Sequence, residues 1–216
     1  MRSIDKAMHA WIGNAGTLVE TSDTHTHSEG SLGADAQYKK SSYDETVQGS
    51  AIQAGNSATL GAGQTQAVGR VLQASGITPA TPEAGGTGNL AVLGSTVTIE
   101  KGVAKLAATG DVTIGAVSEQ HNSDHWSEDK HSGVLSSSSS RSVDTTARTD
   151  AVGSTLSADS VSVSAGRDIN VKGSSIAATN DATLNAQRDI NIESATASSS
   201  ETHFREETRS GLMGSG

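Results

Sequence analysis

Aliphatic and polar residues alternate in short bursts along much of the chain, as in Val97/Ile99, Val112/Ile114, Val161/Val163, Ile169/Val171 and Ile190/Ile192. A two-residue period puts every second side chain on one face, so these segments are predicted as short strands with one buried face, and helix is excluded for them. Gly, Asn and Asp separate the bursts, as tight turns require. The pattern also repeats. Residues 153–172 (GSTLSADSVSVSAGRDINVK) are followed directly by 173–193 (GSSIAATNDATLNAQRDINIE), so that Arg167 returns as Arg188, 21 residues on. Both units open Gly-Ser-Ser/Thr-aliphatic and close Arg-Asp-Ile-Asn-aliphatic. A looser copy opens at Gly94-Ser-Thr-Val97 and closes at Gly110-Asp-Val-Thr-Ile114; a fourth starts at Gly49-Ser-Ala-Ile52 and continues through Asn56-Ser-Ala-Thr-Leu60.

Strands this short and this close together leave no room for βαβ crossovers. The predicted fold is all-β: a right-handed parallel β-helix, or solenoid, whose coils of about 20 residues stack about 4.8 Å apart. Ile169 then lies over Ile190 and Val171 over Ile192 inside, and Asn170 over Asn191 forms an outward ladder. Gly153 and Gly173, like Arg167 and Arg188, mark equivalent places in successive coils. One coil cannot stand alone, because ordering about twenty residues outweighs the burial of about six aliphatic side chains. Stacking has to supply the difference.

Three polar excursions interrupt the coils, each starting near a Glu and carrying His, acidic residues and Ser. They are read as long hairpins or loops, with flexible tips at charged and Ser-rich stretches such as the run Ser136 to Ser140. The predicted organisation is coils over 1–65 with an excursion at 20–46, then a loop over 66–89 that holds Pro79, Pro82 and Gly85-Gly-Thr-Gly88. Coils resume over 90–118, a His- and Ser-rich excursion spans 119–149, two well-matched coils span 150–193, and a truncated excursion spans 194–216.

The Gly-Ser-Thr-Leu-Ser-Ala … Ser-Ala-Gly-Arg-Asp-Ile-Asn-Val units, the Glu…His…Ser-Gly excursions and the closing Arg-Ser-Gly-Leu-Met-Gly-Ser-Gly resemble the haemagglutinin repeats of the filamentous haemagglutinin family, which includes the CdiA-type contact-dependent inhibition proteins. The resemblance is specific from about Leu90 onward. It implies export by a two-partner secretion pathway through an outer-membrane transporter, which would act on regions absent here. It also implies a secreted filament on the bacterial surface, and adhesion to a target-cell envelope or receptor or delivery of a carboxy-terminal toxin. The family's secretion and toxin domains have no counterpart in this sequence.

Composition narrows the function classes. With 33% apolar and 2% aromatic residues the chain lacks the material for a conventional globular core. A formal net charge of −9 disfavours a surface that tracks nucleic-acid or anionic-lipid phosphates. There is no Cys for disulfides, no run approaching the roughly 18 apolar residues of a membrane span, and no apolar signal core at the amino-terminal end. Gly-x-Ser-x-Gly, phosphate-loop and calcium-repeat motifs are missing, and no cofactor or enzymatic activity is expected.

The richest chemical cluster holds His121, His125 and His131 among Asp124, Glu128 and Asp129, but its spacing matches no closed metal site and a solvated segment is preferred. Several His would charge between about pH 7 and 5, which raises a pH response as a hypothesis. Trp126 and Phe204 are the candidate binding residues, aromatic rings set in polar excursions, weighed against simple closure of a hairpin. The expected function is a structural shaft segment. A glycan- or receptor-binding module and a truncated gene remnant are the alternatives.

Overall fold

The computed structural model describes residues 8–12, 15–16, 19–31, 35–63 and 88–211, and every regular element among them is a strand. The chain passes through β1 (Met8–Ile12), β2 (Ala15–Gly16), β3 (Val19–Ser31) and β4 (Ala36–Gly49). It continues through β5 (Ala51–Ala54), β6 (Ala58–Ala62), β7 (Leu90–Leu93), β8 (Thr96–Ile99), β9 (Val103–Ala108) and β10 (Val112–Gly115). Two long strands follow, β11 (Val117–Ser132) and β12 (Ser136–Val152). The rest is β13 (Thr155–Ala158), β14 (Ser160–Ala165), β15 (Ile169–Lys172), β16 (Ser175–Ala178), β17 (Ala182–Ala186), β18 (Ile190–Glu193) and β19 (Ser198–Gly211). Apart from Gly88 and Asn89, the loop predicted over 66–89 lies outside the described residues, as do the last five residues of the excursion predicted over 194–216.

The strands belong to two compact units. One comprises residues 1–20, 47–117 and 151–196, the other 21–46, 118–150 and 197–216. In the first, three parallel sheets run side by side in chain order: β5-β8-β13-β16, β1-β6-β9-β14-β17 and β2-β7-β10-β15-β18. Successive triplets of strands, one per sheet, therefore take successive places in all three. The chain is all-β with parallel sheets, as the alternation predicts.

Register follows the aliphatic positions. Ile52, Val97, Leu156 and Ile176 pair in line in one sheet, and Leu60, Leu106, Val163 and Leu184 in the next. Leu90, Val112, Ile169 and Ile190 line up in the third, with Val92, Ile114, Val171 and Ile192 two residues on. Apart from the exposed Ile190 and Ile192, these residues form one apolar cluster that is buried over the central triplets. A one-residue slip would turn each row outward, so burial holds the register.

The Gly that opens each repeat has two distinct jobs. At Gly94 (φ 50°) and Gly173 (φ 56°) the chain passes straight from one triplet to the next, in a left-handed conformation that side chains disfavour. Gly49 and Gly153 instead receive the chain from β4 and β12, and a Cβ there would fall 1.8 Å from the Gly94 carbonyl oxygen and 2.1 Å from that of Gly173.

The second unit is a single antiparallel sheet in the order β19-β12-β11-β4-β3. The three excursions therefore pair with one another, and the serine run expected as a flexible tip is the start of β12, with Ser136 to Ser140 facing Gly211 to Glu207 on β19. Hydroxyl pairs bridge neighbouring strands at Thr26–Ser42 (2.7 Å), Ser127–Ser142 (2.7 Å) and Ser137–Ser210 (2.8 Å). Small β-tolerant hydroxyl residues thus satisfy one another across the sheet instead of leaving it as loop. No described residue of this unit is buried.

Candidate functional site

The most ordered chemistry in the molecule is a ladder of side chains at the turn that enters the third parallel sheet. Asn89, Asp111, Asp168 and Asp189 each precede a strand of that sheet, and the backbone N–H of each of the three Asp donates to the Oδ1 of the Asx one triplet earlier. The distances are 2.9 Å from Asp111 to Asn89, 3.2 Å from Asp168 to Asp111 and 3.2 Å from Asp189 to Asp168. Arginine closes the same link from outside. Arg167 donates through Nε and Nη2 to the two oxygens of Asp111 at 3.0 and 2.6 Å, and Nη2 also reaches Asn89 Oδ1 at 3.1 Å. Arg188 repeats the fork on Asp168 at 3.0 and 2.6 Å.

Each Arg thus grips the carboxylate of the preceding triplet, not the Asp beside it in sequence. The planar guanidinium suits such two-point binding. The Arg188 hydrogen bonds hold the Asp168 carboxyl below its ordinary range, and the same contact raises Arg188 above its own. Outside on the adjoining strands, Asn191 Nδ2 donates to Asn170 Oδ1 at 2.9 Å.

A second ladder runs through the Ser of each Gly-Ser opening. The Ser50 N–H donates to Ser95 Oγ (3.0 Å), Ser95 N–H to Ser154 Oγ (3.3 Å) and Ser154 N–H to Ser174 Oγ (3.0 Å). The hydroxyls pass the bond on to carbonyls: Ser95 to Leu93 (2.6 Å), Ser154 to Gly115 (2.8 Å) and Ser174 to Lys172 (3.0 Å). Ser95 and Ser154 are buried, where an unmet hydroxyl would be penalised. Sequence reasoning singled out the Gly of this motif and missed the Ser, although Ser follows Gly at all four openings.

In the antiparallel sheet a His from one excursion meets an Asp from the one before. His121 on β11 faces Asp44 on β4, with Nδ1 3.2 Å from Oδ1, and His203 on β19 faces Asp144 on β12 at 2.8 Å. Each has a Glu two residues upstream near Nε2, Glu119 at 3.8 Å and Glu201 at 3.7 Å, and Asp150 lies 3.9 Å from His121. The Asp144 hydrogen bond, helped by the charges of Asp144 and Glu201, raises His203 above its ordinary pKa. Nearby, the Tyr43 hydroxyl donates to Glu45, and this bond raises Tyr43 to about 12.

The structure does not bring His121, His125 and His131 together. They lie along β11 four and six residues apart, roughly 13 and 20 Å at the strand rise of about 3.3 Å per residue. No group of three ligating side chains among the described residues is placed to hold one metal ion. Trp126 is half-buried opposite Lys39 of β4, and Phe204 lies opposite Val143 with 46% of its surface exposed. A surface groove of about 810 Å³ is lined by His131, Leu135, Ser136, Glu207 and Arg209 among others, and neither aromatic residue lines it.

Comparison with known proteins finds similar sequences. Residues 135–214 match the hemagglutinin repeat. The tRNA nuclease CdiA-2 of Burkholderia pseudomallei (strain 1026b) is 42% identical over 125 residues, covering 58% of this chain and 4% of that protein. A tRNA nuclease CdiA of Burkholderia pseudomallei is 37% identical over 125 residues, 58% of this chain and 10% of the relative. The 16S rRNA endonuclease CdiA of Enterobacter cloacae subsp. cloacae is 34% identical over 111 residues, 51% of this chain and 3% of the relative. No solved structure matches. The chain therefore spans 3 to 10% of the length of these relatives, and among its described residues no helix is long and apolar enough to cross a membrane. The chain thus holds a hemagglutinin repeat over residues 135–214 and is similar to CdiA proteins over 51 to 58% of its length.

Proposed function

We propose that the parallel unit is a right-handed parallel β-helix with coils of about 20 residues and that the chain is a shaft segment of a large secreted filament on the bacterial surface. The observation that carries this reading is the shared chain order of all three parallel sheets, in which each strand triplet adds one layer to the last. Such a stack extends by repetition and transmits position without chemistry of its own, which suits a spacer between functional domains. The nuclease activities named for the relatives are theirs. This segment acts in adhesion or in contact-dependent toxin delivery by setting distance and by presenting the excursion sheet to a target envelope, after export through an outer-membrane transporter of the two-partner type.

The test is an in-frame deletion of this segment from its full-length parent, with attachment to target cells scored separately from any effect on them. Intact attachment with a lost effect supports a delivery shaft, and loss of attachment alone assigns the segment to adhesion. Loss of neither overturns the proposal. The exposed ring of Phe204 favours a second reading, a glycan-binding face. Saturable binding on a carbohydrate array that disappears in Phe204→Ala or Trp126→Ala would support it, and a silent array would end it.

A further inference from the structure

Trp126 and Phe204 come from different excursions, but the antiparallel sheet puts them in one line. The Gly133 N–H donates to the Ser136 carbonyl at 2.7 Å to close the turn between β11 and β12, and Ser127 Oγ meets Ser142 Oγ at 2.7 Å further along the pair. Both contacts belong to one register, which sets Trp126 opposite Val143. Trp126 also stands opposite Lys39 of β4, and Val143 opposite Phe204 of β19. Directly opposed residues share a face, so Lys39, Trp126, Val143 and Phe204 cross four strands as a single row. Trp126 and Val143 are half-buried and Phe204 is 46% exposed, so the row keeps an open apolar surface. One residue along and on the other face, the corresponding row is Lys40, His125, Asp144 and His203, polar throughout.

The rows on either side of the aromatic one, on its own face, are polar and carry hydrogen-bonding groups at both edges. Toward the turn lie Gln37, Glu128, Arg141 and Glu206; away from it lie Ser41, Asp124, Thr145 and Thr202. Each row is two residues from the aromatic one, roughly 7 Å at the strand rise, and the two rings are two strands apart, roughly 10 Å at a spacing of about 4.8 Å. An apolar stripe one residue wide between polar rows is too narrow to bury an acyl chain or the apolar face of a protein partner. It matches a pyranose, whose C–H face stacks on an aromatic ring while its hydroxyls point sideways to carboxylates, amides and hydroxyls. An extended chain of such sugars advances by close to one strand spacing per residue, so alternate sugars fall on Trp126 and Phe204 and the one between lies over Val143. Three carboxylates against Lys39 and Arg141 leave the patch acidic, as is the whole chain, which disfavours acidic sugars.

We infer that this row is a set of subsites for an uncharged, extended oligosaccharide laid across the strands. The inference deepens the glycan-binding reading of Phe204 and rests on it. The test titrates cello- and chito-oligosaccharides, from disaccharide to hexasaccharide, into the full chain by calorimetry, with sialyllactose and lactose as an acidic and a neutral pair. The expected result is saturable binding from the trisaccharide upward, with the disaccharide roughly tenfold weaker because it cannot span both rings. Trp126→Ala and Phe204→Ala each weaken binding roughly tenfold, the loss of one stacked ring, whereas Phe204→Trp retains it and His125→Ala on the other face leaves it unchanged. Amide hydrogen exchange along β11 and β12 shows that the sheet persists in each variant; where Trp126→Ala loosens it, the two Phe204 variants decide. Equal affinity for disaccharide and tetrasaccharide, or binding untouched by either ring, overturns the row but leaves a glycan site elsewhere on the chain. Tighter binding of sialyllactose than of lactose overturns the uncharged class. Binding to none of these sugars overturns the row, and a silent carbohydrate array beside it ends the glycan-binding reading as well.

Discussion

The parallel unit and the antiparallel excursion sheet are both built of paired strands, yet the first has an apolar core and the second has no buried residue among those described. In the parallel unit each strand contributes aliphatic side chains that stack on identical neighbours, so register and burial reinforce each other. The excursion sheet has strands up to 17 residues long, about four times the length of β8 or β13, and holds them by cross-strand hydroxyl and His–Asp contacts that face water. Length therefore does not indicate stability here. Exposed polar pairs are each worth a fraction of a kcal/mol, roughly 0.2–1, whereas one buried leucine is worth roughly 1.5–3.

The sharpest way to break this contrast is truncation. Leu106→Ala, at a side chain 1% exposed between Leu60 and Val163, is expected to destabilise the chain by about 2–5 kcal/mol in chemical denaturation. Phe204→Ala is expected to change it by no more than about 1 kcal/mol. Equal effects would mean that the excursion sheet has a hidden core.

Next in size is Ser154→Ala. Removing this hydroxyl strips the buried acceptor from the Ser95 N–H and the donor from the Gly115 carbonyl, for about 1–3 kcal/mol. Faster exchange of the Ser95 amide, with β11 and β12 unaffected, would locate the loss at that corner.

A smaller effect is expected from Asp168→Asn, and it depends on pH. Because folding depresses the Asp168 pKa, its stabilisation is present above the ordinary carboxylate range of about 3.9 and is lost as pH falls through the depressed value. The difference in unfolding midpoint between wild type and variant should therefore shrink toward zero in acid; a constant difference would contradict the ladder.

His203 sharpens the comparison from the other side, with the smallest effect. Its pKa is raised on folding, so its contribution is full below about pH 6.5 and is lost as pH climbs through the raised value. Hydrogen exchange along β12 and β19 should slow as pH drops into that range, relative to the intrinsic rate, and Asp144→Asn should abolish the change. The same dependence surviving in the variant would rule out this pair as its source.

How much of this was legible in the sequence varied with how local the signal was. The alternation at Val161/Val163 and Ile169/Val171 reads directly as strand, because side-chain direction in a strand is a property of the local backbone. The return of Arg-Asp after 21 residues marked equivalent positions, but which Asp each Arg grips follows only from the offset between layers, and the serine hydroxyls were invisible because Ser is abundant everywhere in this chain. The His cluster shows the opposite case. Residues close in sequence, such as His121, His125 and His131, become distant once the segment is extended, and the true partners of His121 come from other strands.

Sequence alone therefore determined the all-β character, the repeat and the rows of residues that stack, since each depends on the period of the side chains and on recurrence along one dimension. Only the tertiary structure decided that three separate polar excursions pair into one antiparallel sheet, and which histidine meets which aspartate. Those contacts join segments more than fifty residues apart whose residues are compatible with loop or strand, and the choice between the two is made by whether a partner strand is present to accept the backbone hydrogen bonds.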